Sequence, residues 1–268
     1  MADCLLSIVT VVHSNLPGLV KLYEAIKYVL SEDIEWIVKD SGCCEKTKLW
    51  ALQFNSKCHI RFSFDADDGI YDALNFAVGM AKGEYYLTVG SDDVVFTEGV
   101  YFFLKHYFFL SQFDVIAFPV NVDGKIKQRS RYVPHWISTG GLIASHSVGT
   151  VIRKDLHYRY GYYDITFKIL ADCLFITRCV NNGANFFYFD SIVFGQFDSK
   201  GVSSVPSTNR FLEAFRYQVS LKSNVLLQVF LFLFRCVKYF FRISPVKILK
   251  IIFVFFLISF FIKYSSLL

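Results

Sequence analysis

The apolar residues of the chain follow two different spacings. A continuous apolar and β-branched run, LLSIVTVV at 5–12, is typical of a strand that is buried on both faces. Between such runs the apolar positions recur every three or four residues, as they do on one face of a helix. These spacings predict strands at 5–12, 33–40, 59–65 and 84–90 and helices at 15–30 and 70–81. The alternation predicts an α/β fold with a mostly parallel central sheet and helices on both faces.

The helix predicted at 70–81 has a well-defined apolar face. Gly83 follows it as a stop signal, since glycine readily adopts the backbone conformation that ends a helix. We expect the buried face of this helix to consist of Ile70, Ala73, Leu74, Ala77, Val78 and Ala81.

Acidic side chains follow the second, third and fourth predicted strands. They are Asp40 after the second, Asp65, Asp67 and Asp68 after the third, and Asp92 and Asp93 after the fourth. Because the carboxyl ends of parallel strands meet at one edge of a sheet, these carboxylates are expected to converge where open α/β folds bind ligands. Such a cluster is unfavourable unless a cation or hydrogen-bond donors offset its charge. Oxygen ligands suit Mg²⁺ or Mn²⁺, which usually bind together with substrate phosphates, so the pattern predicts a metal-bridged nucleotide diphosphate.

Two common nucleotide-binding signatures do not occur after any predicted strand. Neither G-x-G-x-x-G nor G-x-x-x-x-G-K-[ST] is found in the sequence. This excludes the dinucleotide-binding and P-loop classes as interpretations of the acidic edge.

Charge and hydropathy change near residue 213. Beyond Glu213 there are eight basic residues and no acidic one, although the whole chain has a net charge of only +5. Two strongly apolar runs, at 225–234 and 251–262, lie among these basic residues. We therefore predict a catalytic domain over 1–213 and a helical tail over 214–268 that associates with an anionic membrane surface; this composition does not suit nucleic-acid binding.

Two alternatives for the tail remain open at this stage. It could form a buried helical subdomain, or residues 246–263 could span the bilayer with Lys250 directed to the interface. The apolar run at 5–12 lacks the features of a signal peptide, and the seven cysteines show neither C-x-x-C pairs nor zinc-ligand spacing. The expected location is the cytoplasmic face of the cell membrane, either peripheral or anchored through the C-terminal tail.

Several motifs together resemble the family-2 glycosyltransferases of the GT-A fold, in particular the bacterial surface-polysaccharide branch. The resemblance covers about residues 5–213, and the motifs occur in the order and spacing of that branch. They are SIVTVV at 7–12, WIVKDSGCCEKT at 36–47, DADDGIYDALN at 65–75, AKGEYYLTVGSDD at 81–93 and YDITFKILADCLFITR at 163–178.

The resemblance implies a donor site at the acidic edge. Asp40 would contact the nucleobase, and Asp67 would hold the nucleotide or its sugar. Asp92 and Asp93 would form the D-x-D-type pair, with Asp93 as the direct ligand of Mn²⁺ or Mg²⁺. Residues 194–204 resemble a loop that closes over the diphosphate. The implied donor is a nucleotide-diphosphate sugar, with UDP-sugars favoured.

Further positions are implied for catalysis and for charge neutralisation. Asp172 stands where the family has its general base, and Lys200 and Arg210 would be cationic partners of the diphosphate. His146 and Asp164 are candidates on the acceptor side. A structural hydrogen-bonding role for His146 is an equally good interpretation of the sequence, and Asp172 could instead be a charge at a helix N-terminus.

This chain departs from the family pattern near both substrates. Residues 43–46 read Cys-Cys-Glu-Lys where the family has Ser-Thr-Asp-Gly, so the resemblance does not specify the nucleobase of the donor. Ala171 replaces a glutamate before the general base, and Leu174 replaces an aspartate after it. The acceptor side is therefore expected to differ from that of the family.

Three functional hypotheses follow. The first is an inverting glycosyltransferase that extends a glycan, expected to be lipid-linked, in surface polysaccharide biosynthesis. The second is an enzyme that transfers a sugar directly to polyprenyl phosphate. The third is a degenerate GT-A module that binds a nucleotide or a partner protein without catalysis.

Overall fold

The structure is a computed structural model that describes residues 4–42, 44–127, 146–197, 208–221 and 223–243. Within these residues the strands are β1 (Leu6–Val12), β2 (Ile34–Asp40), β3 (Ile60–Ser63), β4 (Tyr85–Thr88), β5 (Val94–Val95), β6 (Val115–Ala117), β7 (Val120–Val122), β8 (Lys125–Lys127), β9 (Thr150–Arg153), β10 (Phe186–Tyr188) and β11 (Gly195–Phe197). The helices are α1 (Leu16–Ile26), α2 (Glu45–Ala51), α3 (Ile70–Met80), α4 (Thr97–Lys105), α5 (Tyr107–Leu110), α6 (Leu156–Tyr160), α7 (Ala171–Asn181), α8 (Thr208–Ser220) and α9 (Val225–Ile243).

The central sheet has seven strands in the order β10-β6-β9-β4-β1-β2-β3. The four strands predicted from the sequence, β1 to β4, pair in parallel. Val12 lies opposite Asp40, so the ends of β1 and β2 reach the same edge. Only β9 runs antiparallel to its neighbours β4 and β6. The prediction of a mostly parallel α/β sheet is confirmed.

A second, four-stranded sheet has the order β5-β11-β7-β8 and was not predicted. Its first strand, β5, begins directly after Asp93. The strand β11 pairs antiparallel with β5 and in parallel with β7. This small sheet therefore connects the end of the acidic segment with residues 195–197, the described start of the loop predicted at 194–204.

Helices cover both faces of the central sheet, as predicted. One buried cluster joins the sheet to α1 and α4, and includes Trp36 and Phe103. The other joins it to α3, α7 and α8, and includes Leu74 and Tyr217. Because β1 contributes side chains to both clusters, its near-continuous apolar run is explained by burial on two faces.

The face predicted for α3 is correct except at its first residue. The five alanine, leucine and valine side chains of that face are buried, but Ile70 is 53 % exposed. Tyr71 is buried in its place, at 6 % exposure. The first turn of α3 borders the acidic edge, so its outer side faces solvent there.

Helix α8 continues through residue 213, where the sequence predicted a domain boundary. Ala214 and Tyr217 are fully buried in the cluster that includes α3 and α7. Helix α9 then packs on α8 through aromatic pairs, Phe211 with Tyr239 and Phe215 with Phe232. The division of the chain into 1–213 and 214–268 stays a prediction.

The outer surface of α9 is apolar over its first half. Leu226, Phe230 and Phe234, spaced four residues apart, are each more than half exposed. Arg235 instead donates a hydrogen bond to Gln218 of α8, at 3.2 Å. None of the helices in the described part of the chain is both long and apolar enough to cross a membrane. The segment 246–263 lies outside the described residues.

Candidate active site

Asp40 ends β2 in a fully buried position. Its Oδ1 accepts hydrogen bonds from the backbone N–H groups of Ser14, at 2.9 Å, and Gly42, at 3.0 Å. Its Oδ2 is buried and has no hydrogen-bond partner among the described residues. A buried carboxylate oxygen without a donor is unfavourable, so this atom is available to an N–H group of a ligand.

The loop after β1 is packed tightly against the segment that carries Asp92 and Asp93. Asn15 caps α1 by accepting a bond from Gly18 N–H, and its Nδ2 donates to Ser91 Oγ at 2.9 Å. A Cβ atom at Gly18 would lie 2.6 Å from the Ser91 carbonyl oxygen. Only glycine therefore allows this close approach, which fixes the acidic segment after β4 against the start of α1.

Asp67 lies in the turn between β3 and α3. Its Oδ1 accepts a hydrogen bond from Gly69 N–H at 3.0 Å, and its buried Oδ2 has no partner within the described part of the chain. Gly69 has φ of +121°, a conformation that residues with a Cβ rarely adopt. The buried Lys39 donates to the Asp65 carbonyl and so holds the start of this turn.

Asp92 and Asp93 both fold back on Gly90. The backbone N–H of Gly90 donates to Asp93 Oδ2 at 3.0 Å. A Cβ atom at Gly90 would meet Asp92 Oδ1 at 2.6 Å and Asp93 Oδ2 at 3.1 Å. The two carboxylates thus border one small space that only glycine leaves open. Asp93 is buried and Asp92 is exposed.

The chemistry of this donor set fits a cation that shares its coordination with a ligand. The described residues contain no group of three or more His, Cys, Asp or Glu side chains that could enclose a metal ion alone. Two adjacent carboxylates without thiolate or imidazole are typical of Mg²⁺ and Mn²⁺ sites completed by phosphates and water. The chemistry of Asp93 and Asp92 therefore fits the metal-ligand role predicted for them, in which a bound diphosphate would supply further ligands.

Asp172 is the second residue of α7 and is half-buried. Its Oδ1 accepts hydrogen bonds from Cys173 N–H at 2.8 Å and from the Tyr71 hydroxyl at 3.1 Å. Burial raises the pKa of the Asp172 carboxyl above its usual value, and these donors act against the rise. A carboxylate with a raised pKa is a better proton acceptor, which is the property a general base needs.

The loop that leads to Asp172 is held by Glu213 of α8. The two carboxylate oxygens of Glu213 accept hydrogen bonds from three successive backbone N–H groups, those of Lys168 (2.6 Å), Ile169 (2.9 Å) and Leu170 (3.0 Å). Glu213 is itself buried. It therefore holds the loop that enters α7 and so fixes the position of Asp172.

Cations reach this region from two elements. Lys168 Nζ donates to the Asp68 carbonyl at 3.2 Å, so it bridges the loop before α7 and the turn that carries Asp67. Arg210 of α8 lies close enough to Cys173 for its charge to lower the pKa of that thiol, although burial raises that pKa far more. Lys200, the other predicted cation, lies outside the described residues.

His146 lies beside the second sheet. Its Nδ1 accepts a hydrogen bond from Val148 N–H at 3.4 Å, and its ring stacks on Phe197 with centroids 3.6 Å apart. Burial, together with the charge of Lys127, lowers the His146 pKa to about 4. The ring is therefore neutral at pH 7. These contacts hold the ring beside residue 197, where the loop predicted at 194–204 continues beyond the described residues. The acceptor-side role of His146 stays a prediction.

Asp164 has local partners. Its Oδ1 accepts hydrogen bonds from the backbone N–H (2.9 Å) and the hydroxyl (2.6 Å) of Thr166. Arg216 of α8 in turn donates to the Thr166 carbonyl at 3.1 Å. Asp164 thus stabilises a turn before α7, and its described contacts do not join it to the acidic edge.

The structure brings five of the predicted site residues together. Asp40, Asp67, Asp92 and Asp93 lie at the carboxyl edge of β2, β3 and β4, and Asp172 is joined to this edge through Tyr71. Sequence reasoning missed the residues that hold them, namely Tyr71, Asn75, Lys168 and Glu213. Tyr71 and Asn75 belong to the quoted motif at 65–75, but their partners lie about a hundred residues further along the chain.

Solved structures of glycosyltransferases share this fold. Residues 1–349 of TarS from S. aureus in complex with UDP-GlcNAc match with a TM-score of 0.63 and 15 % identity, over 88 % of this chain and 72 % of that one. The mannosyltransferase PcManGT from Pyrobaculum calidifontis, in complex with GDP-Man and Mn²⁺, matches with a TM-score of 0.57 and 13 % identity, over 97 % and 82 % of the two chains. No protein-family model matches the sequence, and no curated protein matches it either. The fold is of the GT-A glycosyltransferase type.

Proposed function

We propose that the protein is a metal-dependent glycosyltransferase that moves a sugar from a nucleotide-diphosphate sugar to a hydroxyl group of an acceptor. The observation that carries this proposal is the convergence of Asp40, Asp67 and the Asp92–Asp93 pair at one sheet edge, with Asp172 joined to it by Tyr71. The fold neighbours support it, since one is in complex with UDP-GlcNAc and another with GDP-Man and Mn²⁺.

Asp40 Oδ2 and Asp67 Oδ2, which have no hydrogen-bond partner within the described residues, are proposed to bind two different parts of the donor. Asp40 Oδ2 accepts a hydrogen bond from a ring N–H of the base, which uracil and guanine have and cytosine and adenine lack. Asp67 Oδ2 accepts from a hydroxyl of the ribose or of the sugar. Both oxygens are buried, and a ligand donor would remove the cost of leaving them without a partner.

Asp93 and Asp92 would hold Mn²⁺ or Mg²⁺, which would offset the negative charge of the departing diphosphate. The two carboxylates that border the space beside Gly90 supply oxygen ligands of the type these ions prefer. Lys168 and Arg210 add positive charge near Asp172, and Lys200 is proposed to contribute from the loop over the donor.

Asp172 acts as the general base. It takes the proton of the acceptor hydroxyl while the acceptor oxygen bonds to the anomeric carbon and the bond from that carbon to the phosphate oxygen breaks. The nucleotide diphosphate leaves with the electron pair of that bond. One displacement inverts the anomeric centre, and a base of this kind contributes about 10²–10⁴-fold to the rate.

The acceptor is proposed to be a glycan carried on a lipid, and the reaction to belong to surface polysaccharide synthesis at the cytoplasmic face of the cell membrane. The apolar stripe of α9, formed by Leu226, Phe230 and Phe234, supports contact with the lipid surface. The basic residues among these apolar ones favour anionic lipids. Arg235 is excluded from this contact because it is turned toward α8.

Membrane contact can be tested with sedimenting vesicles that contain anionic phospholipid. The double variant Phe230→Gln and Phe234→Gln should bind these vesicles at least about tenfold more weakly than the wild type, because each change removes apolar area from the interface. Phe108→Gln is the matched control, since Phe108 is 91 % exposed but lies on α5. Equal vesicle binding by all three proteins would contradict the proposed membrane surface.

The activity can be tested with Mn²⁺ and a panel of UDP-, GDP-, CDP- and ADP-sugars. Many transferases slowly hydrolyse their donor without an acceptor, so release of free nucleotide diphosphate identifies the donor. NMR of the transferred product gives its anomeric configuration, and the nature of the acceptor separates glycan extension from transfer to polyprenyl phosphate. Nucleotide binding without release or transfer from any sugar would favour a binding module.

A further inference from the structure

The hydroxyl of Tyr71 lies between two acceptors at the edge of the candidate site. It is 2.7 Å from the carbonyl oxygen of Ile169 and 3.1 Å from Asp172 Oδ1. A tyrosine hydroxyl carries one hydrogen, so it can donate to only one of these acceptors at a time. The side chain of Tyr71 is buried, which makes the choice between them energetically significant.

We propose that Tyr71 is a positioning residue that follows the protonation state of Asp172. Its hydroxyl donates to the Asp172 carboxylate before the reaction and turns to the Ile169 carbonyl once Asp172 holds the acceptor's proton. This inference rests on the proposed function, in which Asp172 is the base. The covalent step is the displacement described above: the acceptor's proton moves to Asp172 as the acceptor oxygen bonds to the anomeric carbon and the bond to the phosphate oxygen breaks. Tyr71 itself changes only its hydrogen-bond partner.

The surrounding structure holds both the Ile169 carbonyl and the Tyr71 ring in place. The N–H group of Leu170, which shares its peptide group with the Ile169 carbonyl, donates to Glu213 at 3.0 Å, so the peptide that carries one acceptor is anchored. The Tyr71 ring packs against the ring of Tyr163 at 5.7 Å between centroids. Rotation of the Tyr71 O–H bond is therefore sufficient to change partners, and no heavy atom has to move.

The change of partner suits a base whose charge appears and disappears in each cycle. An ionised carboxylate gains more from a hydrogen bond than a neutral carboxylic acid does. The Ile169 carbonyl accepts the hydroxyl hydrogen when Asp172 is neutral, so neither protonation state leaves the Tyr71 donor without a partner. Tyr71 thus offsets the burial that raises the pKa of Asp172.

The other titratable and charged groups near Asp172 come from the elements packed around it. On α7 it is followed by Cys173, whose N–H donates to the carboxylate. The carboxylate of Glu213 on α8 is fully engaged with backbone N–H groups. The remaining groups are Arg210 on α8, Lys168 in the loop before α7, and the buried hydroxyls of Tyr163 and Tyr86, whose pKa values are raised mainly by burial and also by the charge of Asp172.

The direct test is the titration of the Asp172 carboxyl by ¹³C NMR in the wild type, in Tyr71→Phe and in Tyr163→Phe. The matched control, Tyr163→Phe, removes a buried hydroxyl from the same cluster, where it bonds to Tyr86. The midpoint of the Asp172 titration should move to higher pH in Tyr71→Phe and stay unchanged in Tyr163→Phe. An unchanged midpoint in Tyr71→Phe, or equal shifts in both variants, would overturn the proposal.

Activity provides the second readout. On the acid side of the pH profile, transfer by Tyr71→Phe should be roughly tenfold slower than that of the wild type, and the difference should shrink as the pH rises. A purely structural role would instead lower the rate by the same factor at every pH. If Tyr71→Phe does not fold, 3,5-difluorotyrosine at position 71, a stronger donor, should move the Asp172 midpoint to lower pH.

Different results would reject the proposed function and the proposed role of Tyr71. Absence of sugar transfer by the wild type would reject the proposed function, whereas the change in the Asp172 titration between wild type and Tyr71→Phe reports the hydrogen bond from Tyr71 and requires no sugar transfer. A normal pH profile in Tyr71→Phe with active wild type would reject the role of Tyr71 and leave the function intact.

Discussion

Asn75 and Tyr163 are joined by two hydrogen bonds although they lie 88 residues apart in the chain. The Asn75 amide donates from Nδ2 to the Tyr163 carbonyl at 2.9 Å and accepts at Oδ1 from the Tyr163 N–H at 3.0 Å. The Asn75 side chain thus satisfies both backbone polar groups of Tyr163, which lies in a loop. It attaches the loop before α7, and therefore Asp172, to the helix that starts beside Asp67.

Replacing Asn75 should loosen this attachment. Asn75→Ala leaves both backbone groups of Tyr163 without a partner, so we expect a loss of about 2–3 kcal/mol in the free energy of unfolding, measured by urea denaturation. The control is Asn182→Ala, which removes an exposed bond to the Arg178 carbonyl and should cost less than about 1 kcal/mol. Similar losses in the two variants would show that the Asn75 pair is unimportant.

Gly69 offers a test of the turn that holds Asp67. Gly69→Ala would force a Cβ-bearing residue to φ near +121° and would place its Cβ 3.3 Å from Lys168 Nζ. We expect about 1–3 kcal/mol of destabilisation and weaker donor binding. The control, Gly79→Ala, lies in α3 with no atom near the new Cβ, so it should gain about 0.5–1 kcal/mol. Equal effects of the two substitutions would contradict the strain argument.

Replacing Asp172 should have opposite effects on catalysis and on stability. Asp172→Asn keeps an acceptor for Cys173 N–H and Tyr71 but removes a half-buried charge. Turnover should fall about 10²-fold or more with donor affinity retained, while the melting temperature at neutral pH stays the same or rises. The sign follows from the raised pKa of Asp172, because ionisation of such a carboxyl destabilises the folded protein as the pH rises. Turnover within a few-fold of wild type would instead favour Asp164 or His146 as the base.

Buried histidine should make the fold sensitive to acid. Burial lowers the pKa of His157 to about 4, below its ordinary value of 6.5. The unfolded chain therefore binds a proton first, so stability is complete above about pH 6.5 and declines as the pH falls to about 4, by up to about 3 kcal/mol. His157→Phe should preserve the stacking on Phe175 and flatten the dependence of the melting temperature on pH in this window. An unchanged pH dependence in this variant would assign the acid sensitivity to other groups.

The parallel half of the fold was predictable because its strands are buried on two faces. β1 reads as a nearly continuous apolar run, every residue of β2 is buried, and β2 ends in Asp40. Convergence of the carboxylates followed from parallel pairing alone. The strands of the second sheet have two or three residues, and all three residues of β8 are exposed. They therefore lack the long apolar run from which β1 was predicted.

The support of the site was not predictable from spacing. The helical period places Ile70 on the buried face of α3, whereas the cleft beside the first turn exposes Ile70 and buries Tyr71. In the sequence, Glu213 stands out only as the last acidic residue before the basic, apolar tail. Its hydrogen bonds to residues 168–170 depend on how α8 packs against α7. Such contacts between distant segments are set by tertiary packing, which local patterns do not encode.

The acidic edge is proposed to bind a nucleotide-diphosphate sugar through a shared divalent cation. Calorimetric titration of wild type, Asp93→Ala and Asp68→Ala with a panel of nucleotide sugars, with and without Mn²⁺, tests it most directly. Asp68 is the control because it is an exposed carboxylate in the turn after β3. Mn²⁺ should strengthen binding of one nucleotide sugar at least about tenfold in the wild type and in Asp68→Ala, and Asp93→Ala should lose this gain. Equal gains in all three proteins, or no binding of any nucleotide sugar, would contradict it.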